Sequence, residues 1–190
     1  MTGPCMADPV VIVGAGLAGY NLARELRKGD AELPIVVVSA CGADFYSTPM
    51  LSNALASGKT ATTLVMKSAE KMSEDLRARV LPHTRVTQVD SVARTVSLHT
   101  GETLAYRDLV LAVGADPIRL PLQGDAADVV LSVNDLDDFA GFSQALDGVP
   151  AGQTVRRVVI LGGGLIGCEF ANDLLARGMV PTVVDVADHV

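Results

Sequence analysis

A β-branched run that ends in closely spaced glycines is the feature that most constrains how this chain can fold. Residues 10–13 read VVIV, Gly14, Gly16 and Gly19 follow, and a helical pattern covers residues 17–28. Strand, glycine turn and helix start in direct succession are typical of a dinucleotide-binding βα unit. We predict that Gly14 permits the tight turn, that Gly16 lets the backbone approach a pyrophosphate, and that Gly19 lets the helix pack against the strand.

The start of that helix is the second part of the prediction. The first helical N–H groups, including those of Leu17 and Ala18, have no partners within a helix, and the helix dipole adds partial positive charge at this end. These N–H groups would therefore face the phosphates of a bound dinucleotide.

The same arrangement occurs a second time. Residues 158–161 read VVIL, and Gly162, Gly164 and Gly167 follow at the start of a second helical pattern over residues 165–177. A single GxGxxG is weak evidence, because glycine turns after strands are common. Two unrelated structural turns remain the alternative, but two copies in the full strand–turn–helix context favour two nucleotide-binding units.

Composition excludes several other classes of function. The 190 residues carry a net charge of −7, are 49% hydrophobic and include no Trp, which argues against binding to nucleic acid or an anionic membrane. Cys5, Cys41 and Cys168 lie far apart, so there is no local redox dithiol and no metal knuckle. We expect a cytoplasmic protein without a signal peptide, a membrane span or a metal site.

The pattern between the two glycine motifs predicts an α/β fold with an insertion. We expect a buried strand at 35–38, an irregular segment at 45–52 and a helix at 68–78. A small meander of short strands follows at 79–81, 85–89, 95–98 and 103–106. A buried strand at 108–115 and a helix that Asn134 caps and that runs to residue 146 complete this part of the chain. The second motif then forms one βαβ unit, with its last strand at 182–185. The fold class is a Rossmann-like domain with a small antiparallel β-meander, followed by the first βαβ unit of a second Rossmann-like domain.

The ends of the second strands differ between the two copies. An acidic residue about 20 residues after the glycines normally binds the ribose hydroxyls. In the first copy the strand ends in Ser39, so either Ser39 supplies one hydrogen bond or the later Asp44 folds back. In the second copy Asp185 stands near the usual spacing. We expect Asp185 to favour NADH over NADPH, with a solvent-exposed strand end as the alternative.

Four further segments give the chain a family resemblance. The two fingerprints, together with the stretches at 46–52, 83–90, 106–115 and 162–173, resemble the pyridine nucleotide–disulfide oxidoreductase family of two-dinucleotide-binding-domain flavoproteins. Within it, they look most like bacterial reductases of rubredoxin. One departure is Asn53, which stands where ferredoxin reductases of this group often carry Lys.

The resemblance implies roles for individual residues. In the first site Gly14, Gly16 and Gly19 would hold the FAD pyrophosphate, Val86 would contact adenine, and Pro49, Ala112, Gly114 and Arg119 would lie near the flavin. In the second site NADH would be held by Gly162, Gly164, Leu165, Ile166 and Gly167, with Glu169 close to the nicotinamide. For Glu169 the alternative is an acid in the first helical turn that the helix dipole favours.

The implied function is NADH oxidation with FAD and transfer of electrons to rubredoxin or a similar small iron protein. No catalytic side chain is needed, because the flavin performs the redox chemistry. Ferredoxin, a flavorubredoxin or a nitrite reductase component are alternative acceptors. A different class of function, a non-catalytic nucleotide-binding fragment, is also open.

The resemblance also sets expected domain limits. Residues 1–150 would form the FAD-binding domain, and residues 151–190 the start of an NAD(P)H-binding domain. Because one βαβ unit cannot bury both faces of a parallel sheet, we expect a truncated chain that does not sustain NADH oxidation alone.

Overall fold

The computed structural model of the protein describes residues 8–148 and 157–187. The strands are β1 (Val10–Val13), β2 (Ile35–Val38), β3 (Arg79–Leu81), β4 (Val86–Asp90), β5 (Thr95–Leu98), β6 (Thr103–Ala105), β7 (Asp108–Leu111), β8 (Arg157–Leu161) and β9 (Val180–Val184). The α-helices are α1 (Leu17–Gly29), α2 (Ala61–Leu64), α3 (Ala69–Leu76), α4 (Leu136–Asp147) and α5 (Leu165–Ala176), and 3₁₀ helices lie at Thr48–Asn53 and Ala127–Val129.

Contacts divide the chain into two compact units. The first takes the described residues up to Tyr46 together with Val65–Ala115, and the second takes Ser47–Leu64 and the described residues from Asp116 onward. The predicted domain boundary between residues 150 and 151 lies outside the described residues, as do residues 1–7 of the expected N-terminal tail and residues 149–154 of the expected linker. The assignment of the domains to FAD and NAD(P)H therefore stays a prediction.

The first unit is built on a parallel sheet with the strand order β3-β2-β1-β7. The β-branched residues of β1 and β2 are buried on both faces, as expected for inner strands of a parallel sheet. One face packs with α1 and α3 around Ile12, Tyr20 and Met72. The other packs with the antiparallel meander β4-β5-β6 around Val11 and Val96. The predicted α/β fold with a meander insertion is confirmed.

Two strand assignments in this unit need correction. Residues 79–81 do not belong to the meander: β3 pairs in parallel with β2, because α3 provides the crossover that parallel strands require. The strand predicted at 108–115 is also less buried than expected. In the described residues β7 lies at the edge of the sheet, ends at Leu111 and leaves that side chain 64% exposed.

The loop after β2 is anchored by aromatic side chains. The Tyr20 hydroxyl donates a hydrogen bond to the Ala43 carbonyl oxygen at 2.5 Å, and the Tyr20 and Phe45 rings meet edge to face. Burial, reinforced by the negative charges of Asp44 and Glu70, raises the pKa of the Tyr20 phenol to about 12. The Arg24 guanidinium lies 4.3 Å from the centre of the Phe45 ring. These contacts fix the path of the chain where it leaves the sheet.

The second unit contains the parallel pair β8-β9, with α5 between them in sequence. Helix α4 contacts α5 through Phe142 and Phe170, whose ring centres lie 5.7 Å apart. Its N-cap is Asp135, not Asn134, since the Asp135 carboxylate accepts the N–H of Asp138 at 2.9 Å. In the described part of the chain, no helix is long and apolar enough to cross a bilayer.

A buried carboxylate on α5 organises the segment that follows the first 3₁₀ helix. Asp173 is 3% exposed, and its two carboxylate oxygens accept the N–H groups of Leu55 and Ala56, each at 2.8 Å. A buried charge is tolerated only when such donors replace water. Asp173 therefore ties residues 55 and 56 to α5 within the second unit.

We expect Asp173→Asn to destabilise the second unit by about 1–3 kcal/mol, because an amide NH₂ would face one of the two donors and leave a buried N–H unpaired. Hydrogen exchange of the Leu55 and Ala56 amides should accelerate. Asp147→Asn is the matched control: its carboxylate is 63% exposed and pairs with Arg177 at the other end of α5. An exposed pair of this kind contributes about 1 kcal/mol or less. Unchanged exchange in Asp173→Asn would contradict the prediction.

Candidate nucleotide-binding sites

The first glycine turn is interlocked with the sheet. Gly14 has a φ of +115°, and a Cβ there would lie 2.0 Å from the Ala112 carbonyl oxygen at the end of β7. A Cβ on Gly19 would lie 1.9 Å from the Gly14 carbonyl oxygen and 3.4 Å from Ile12. Both positions therefore require glycine for internal reasons: the turn itself and the close packing of α1 on β1.

Gly16 is different, because no described residue outside its own chain neighbours and helix backbone lies within 4 Å of the position where its Cβ would be. It is the N-cap of α1 with extended backbone angles that any residue can adopt, and it is exposed. Within residues 8–148 and 157–187, no contact explains a glycine here. The observation fits the sequence-based interpretation that Gly16 keeps the surface open for a close external approach to the backbone.

The second glycine turn repeats this geometry. Gly162 has a φ of +112°, and a Cβ on Gly167 would lie 2.0 Å from the Gly162 carbonyl oxygen. For Gly164, none of the residues that the structure describes lies within 4 Å of its Cβ position, its chain neighbours and helix backbone excepted. The hydrogen bonds between each turn and its neighbouring strand also match. The N–H of Gly14 donates to the Val38 carbonyl oxygen, and the N–H of Gly162 donates to the Val184 carbonyl oxygen, each at 2.8 Å. The two motifs are thus structural copies of one βαβ unit.

Both helices begin without a side-chain cap. In α1 the intrahelical ladder starts with the N–H of Tyr20 donating to Gly16, and in α5 with Cys168 donating to Gly164, each at 3.0 Å. The preceding N–H groups, those of residues 17–19 and 165–167, stand ahead of the ladder at the positive end of the helix. Leu165 and Ile166 are exposed, at 79% and 65%. Each helix start can accept an anionic group at its backbone.

These matching hydrogen bonds identify equivalent residues at the ends of β2 and β9. Ser39 follows Val38 and Asp185 follows Val184, so the two occupy the same position of the two copies. Each side chain accepts the backbone N–H two residues later, Ser39 from Cys41 at 3.3 Å and Asp185 from Ala187 at 2.8 Å. The position predicted to bind the ribose therefore carries a hydroxyl in the first copy, where Ser39 is 8% exposed, and a carboxylate in the second, where Asp185 is exposed.

Asp185 also reaches back to its own glycine turn. Its second carboxylate oxygen accepts the N–H of Gly163 at 2.5 Å. This bond, followed by the one from Ala187, lowers the pKa of the Asp185 carboxyl. The side chain is exposed and ionised at neutral pH. The alternative of Asp44 folding back toward the first site meets a competing partner, since its carboxylate accepts the N–H of Ala69 at 3.0 Å at the start of α3.

Glu169 is held by the first 3₁₀ helix within the second unit. The Ser52 hydroxyl donates to the Glu169 carboxylate at 2.5 Å, and the Asn53 amide donates to the same oxygen at 3.5 Å. The alternative interpretation of Glu169 as an acid of the first helical turn is wrong, because α5 has no acidic residue there. Ser52 is 4% exposed, so its hydrogen bond to Glu169 is largely shielded from solvent.

The remaining predicted residues divide between the units. In the first unit the carbonyl of Ala112 packs against the Gly14 turn, and Gly114, beyond β7, has a φ of +69°. Val86 is the first residue of β4 and packs in the same hydrophobic cluster as Val38. Pro49, in the 3₁₀ helix, and the exposed Arg119 belong to the second unit. Their proposed roles near a flavin remain predictions.

Sequence reasoning missed two residues that organise the second copy, Ser52 and Asp173. The available signal was the spacing of Glu169 and Asp173, because residues four apart share one face of a helix. Two carboxylates on one face of an otherwise apolar helix indicate partners on another element. The pattern could not name Leu55, Ala56 and Ser52 as those partners, because they lie more than a hundred residues away.

Comparison with known proteins decides the family. The sequence model for pyridine nucleotide-disulphide oxidoreductase matches residues 8–190. The chain belongs to this family. The matched residues include both glycine motifs.

Individual relatives give finer similarities. The rubredoxin-NAD(+) reductase of Alcanivorax borkumensis is 46% identical over 177 residues, which cover 93% of this chain and 44% of that protein. The nitric oxide reductase FlRd-NAD(+) reductase of Klebsiella pneumoniae is 36% identical over 180 residues, 95% of this chain and 45% of that protein. A crystal structure of a ferredoxin reductase from Rhodopseudomonas palustris is 30% identical with a TM-score of 0.83, and the match covers 96% of this chain and 44% of that one. The chain thus spans less than half the length of these relatives.

The different environments of the glycines predict different costs of substitution. Gly19→Ala should destabilise the protein by about 3 kcal/mol or more, because its Cβ would overlap a backbone carbonyl. Gly16→Ala should cost about 1 kcal/mol or less, the usual loss when Ala replaces Gly at an N-cap. Thermal unfolding followed by circular dichroism measures both. Equal midpoints of thermal unfolding for the two variants would show that the close contact between Gly19 and the Gly14 carbonyl does not restrain α1. The pair Gly167→Ala and Gly164→Ala repeats the test in the second copy.

Proposed function

We propose that this chain provides the FAD site and the NADH-binding motif of a reductase that oxidises NADH and passes electrons to rubredoxin or a similar small iron protein. The observation that carries the proposal is the duplicated fingerprint. Of its six glycines, Gly14, Gly16, Gly19, Gly162, Gly164 and Gly167, two combine an open Cβ position with ordinary backbone angles. These two are Gly16 and Gly164. The high identity to a rubredoxin-NAD(+) reductase supports the choice of acceptor.

In the first site, the turn of Gly14, Gly16 and Gly19 and the N–H groups of Leu17 and Ala18 would hold the FAD pyrophosphate. The open surface at Gly16 suits the close approach that two phosphates require. Ser39 and Val86 would lie toward the adenosine part, and Ala112 and Gly114 toward the flavin. The bound flavin would supply the redox chemistry, accepting two electrons from NADH and releasing them singly.

In the second site, the turn and helix start formed by Gly162, Gly164, Leu165, Ile166 and Gly167 would bind the NADH pyrophosphate. Asp185 would accept hydrogen bonds from the adenosine ribose. Glu169 would lie near the nicotinamide, with its carboxylate oriented by Ser52. No side chain of the chain needs to act as a nucleophile or general base.

The cysteines favour a one-electron acceptor over a disulfide substrate. The sequence contains no CxxC or CxxxxC pair, and its cysteines, Cys5, Cys41 and Cys168, lie far apart along the chain. Electrons would therefore leave the flavin directly. Separated thiols also suit the reducing cytoplasm, which we propose as the location. A flavorubredoxin is the second candidate acceptor, because a nitric oxide reductase FlRd-NAD(+) reductase is 36% identical.

The experiment that tests this function is stopped-flow spectroscopy with the flavin-loaded, full-length reductase that would contain this chain. NADH should bleach the flavin absorbance under anaerobic conditions, and oxidised rubredoxin should restore it. We expect rubredoxin to reoxidise the flavin about tenfold faster than ferredoxin does, as a modest electrostatic and contact preference would give. Faster reoxidation by the rubredoxin domain of a flavorubredoxin would select the second candidate, and no bleaching by NADH would refute both.

Flavin retention tests the first site separately from turnover. Gly16→Val should fold and give colourless protein, because the isopropyl group would occupy the open surface where the pyrophosphate is proposed to bind. Absorbance of the purified protein and its circular dichroism measure the two properties. A folded variant that keeps stoichiometric FAD would contradict the assignment of this turn to the flavin.

The cofactor preference of the full-length reductase tests the second site. Asp185 is ionised at neutral pH, since backbone N–H donation from Gly163 and Ala187 lowers its pKa, and it should repel the 2′-phosphate of NADPH. We expect Asp185→Ser to reduce the ratio of kcat/KM for NADH over that for NADPH by about tenfold, the effect of removing one close like-charge contact. Asp185→Asn is the control for size, because it removes the charge and keeps a side chain of nearly the same volume. An unchanged ratio in both variants would show that Asp185 does not read the ribose.

A further inference from the structure

Two carboxylates on one face of α5 bind the same short segment of the chain. Glu169 and Asp173 are four residues apart, so they lie about one turn apart on one side of the helix. Glu169 accepts the Ser52 hydroxyl at 2.5 Å, and Asp173 accepts the N–H groups of residues 55 and 56, each at 2.8 Å. All of these residues belong to the second unit. Helix α5 therefore holds this segment at both of its ends.

We infer that Asp173 is a positioning residue for recognition of the nicotinamide. By fixing the backbone of residues 55 and 56, it places the Ser52 hydroxyl, which in turn orients the Glu169 carboxylate. The inference rests on the proposed function, in which Glu169 lies near the nicotinamide. It adds a residue that acts on the dinucleotide through two intermediate groups and does not touch it.

The segment between the anchor and the hydroxyl is closed on itself. The N–H of Lys59 donates to the Ala54 carbonyl oxygen at 2.9 Å, and the N–H of Gly58 donates to the Leu55 carbonyl oxygen at 3.0 Å. Ala54 is 0% exposed and Leu55 is 7% exposed, so close packing also restrains this turn. Because only two residues separate Ser52 from Leu55, a shift of the backbone at the anchor is passed to the hydroxyl.

The Ser52 hydroxyl has two acceptors within reach. Its oxygen lies 2.5 Å from Oε2 of Glu169 and 3.2 Å from the carbonyl oxygen of Pro49. A hydroxyl has one proton and can donate it to one of these acceptors at a time. The position of the segment therefore decides the choice. A displacement that lengthens the contact with Glu169 would turn the proton toward Pro49 and release the carboxylate.

The Glu169 carboxylate is held through one of its two oxygens. Ser52 and the Asn53 amide both reach Oε2, and no residue in the described ranges 8–148 and 157–187 donates a hydrogen bond to Oε1. With Oε2 fixed, Oε1 has a defined direction and can accept the carboxamide N–H of a nicotinamide. Ordering an acceptor before the ligand arrives lowers the entropy lost on binding.

Two ligands separate this role from a general effect on the second unit. Tetrahydro-NADH keeps the carboxamide and cannot transfer hydride, whereas adenosine diphosphate ribose lacks the nicotinamide ring. Calorimetry with the flavin-loaded, full-length reductase gives the dissociation constant of each. Asp173→Asn should weaken tetrahydro-NADH about fivefold, the effect of losing one oriented hydrogen bond. Adenosine diphosphate ribose should change about twofold or less, since it would bind at the glycine turn and Asp185.

The control is Asp147→Asn, which should leave both dissociation constants unchanged because its carboxylate is 63% exposed and pairs with Arg177. Equal weakening of the two ligands by Asp173→Asn would show a merely structural role and overturn the inference. Asp173→Glu is the second variant, should Asp173→Asn not fold. It keeps a carboxylate for both donors and moves it by one methylene, so it should also weaken tetrahydro-NADH selectively. An unchanged ratio of the two dissociation constants in Asp173→Glu would overturn the inference as well.

A double-mutant cycle tests the route through Ser52. Ser52→Ala keeps both hydrogen bonds of Asp173 and removes only the group that it positions, so we expect the same loss of about fivefold for tetrahydro-NADH. In the double variant Ser52→Ala/Asp173→Asn, the anchor has no hydroxyl to place. The loss should therefore stay near fivefold, whereas independent effects would multiply to about 25-fold. A multiplied loss would refute the route.

The outcomes distinguish this inference from the proposed function. If tetrahydro-NADH binds no tighter than adenosine diphosphate ribose to the unmodified reductase, the proposed contact of Glu169 with the nicotinamide is refuted, and the inference with it. If tetrahydro-NADH binds tighter but Asp173→Asn weakens both ligands equally, the contact of Glu169 stands and only the role of Asp173 is refuted.

Discussion

The close packing of a helix start against a glycine turn is the constraint on which the rest of the structure depends. A Cβ on Gly19 would lie 1.9 Å from the Gly14 carbonyl oxygen, and one on Gly167 would lie 2.0 Å from that of Gly162. Only glycine permits this approach, and the approach brings the first N–H groups of the helix to the carboxyl end of the strand. The same backbone contact thereby shapes each βαβ unit and the surface at its edge where we propose that a dinucleotide phosphate binds.

In the second unit, the side chains of α5 add a second level of organisation. Asp173 binds the backbone of residues 55 and 56, and Glu169, one turn earlier, accepts the Ser52 hydroxyl. The helix that would bind NADH at its N-terminus thus also holds the 3₁₀ helix that carries Pro49. Substitutions of Asp173 or Glu169 would alter that segment, because both carboxylates accept hydrogen bonds from it.

Most elements of the fold follow from local sequence. The β-branched runs of β1, β2 and β8, the helix after each glycine turn and the Gly101 turn of the meander are set by neighbouring residues, and they lie where the sequence predicts. Pairing of short strands is not local. Residues 79–81 have the same short, mixed pattern as the meander strands, and only the packing of α3 directs them to β2. The choice of Asp135 over Asn134 as N-cap likewise depends on where the helix axis starts.

The sequence by itself determined that two dinucleotide fingerprints lie in one chain, because strand, turn and helix follow one another without a gap. Tertiary structure alone decided why each glycine is there. Gly19 is required by a carbonyl oxygen brought close by packing, whereas Gly16 faces an open surface. It also decided that Ser39 and Asp185 are equivalent, that Asp44 binds the start of α3, and that Asp173 is a buried anchor. These facts depend on which distant backbone groups meet a side chain, and spacing along the chain does not contain that information.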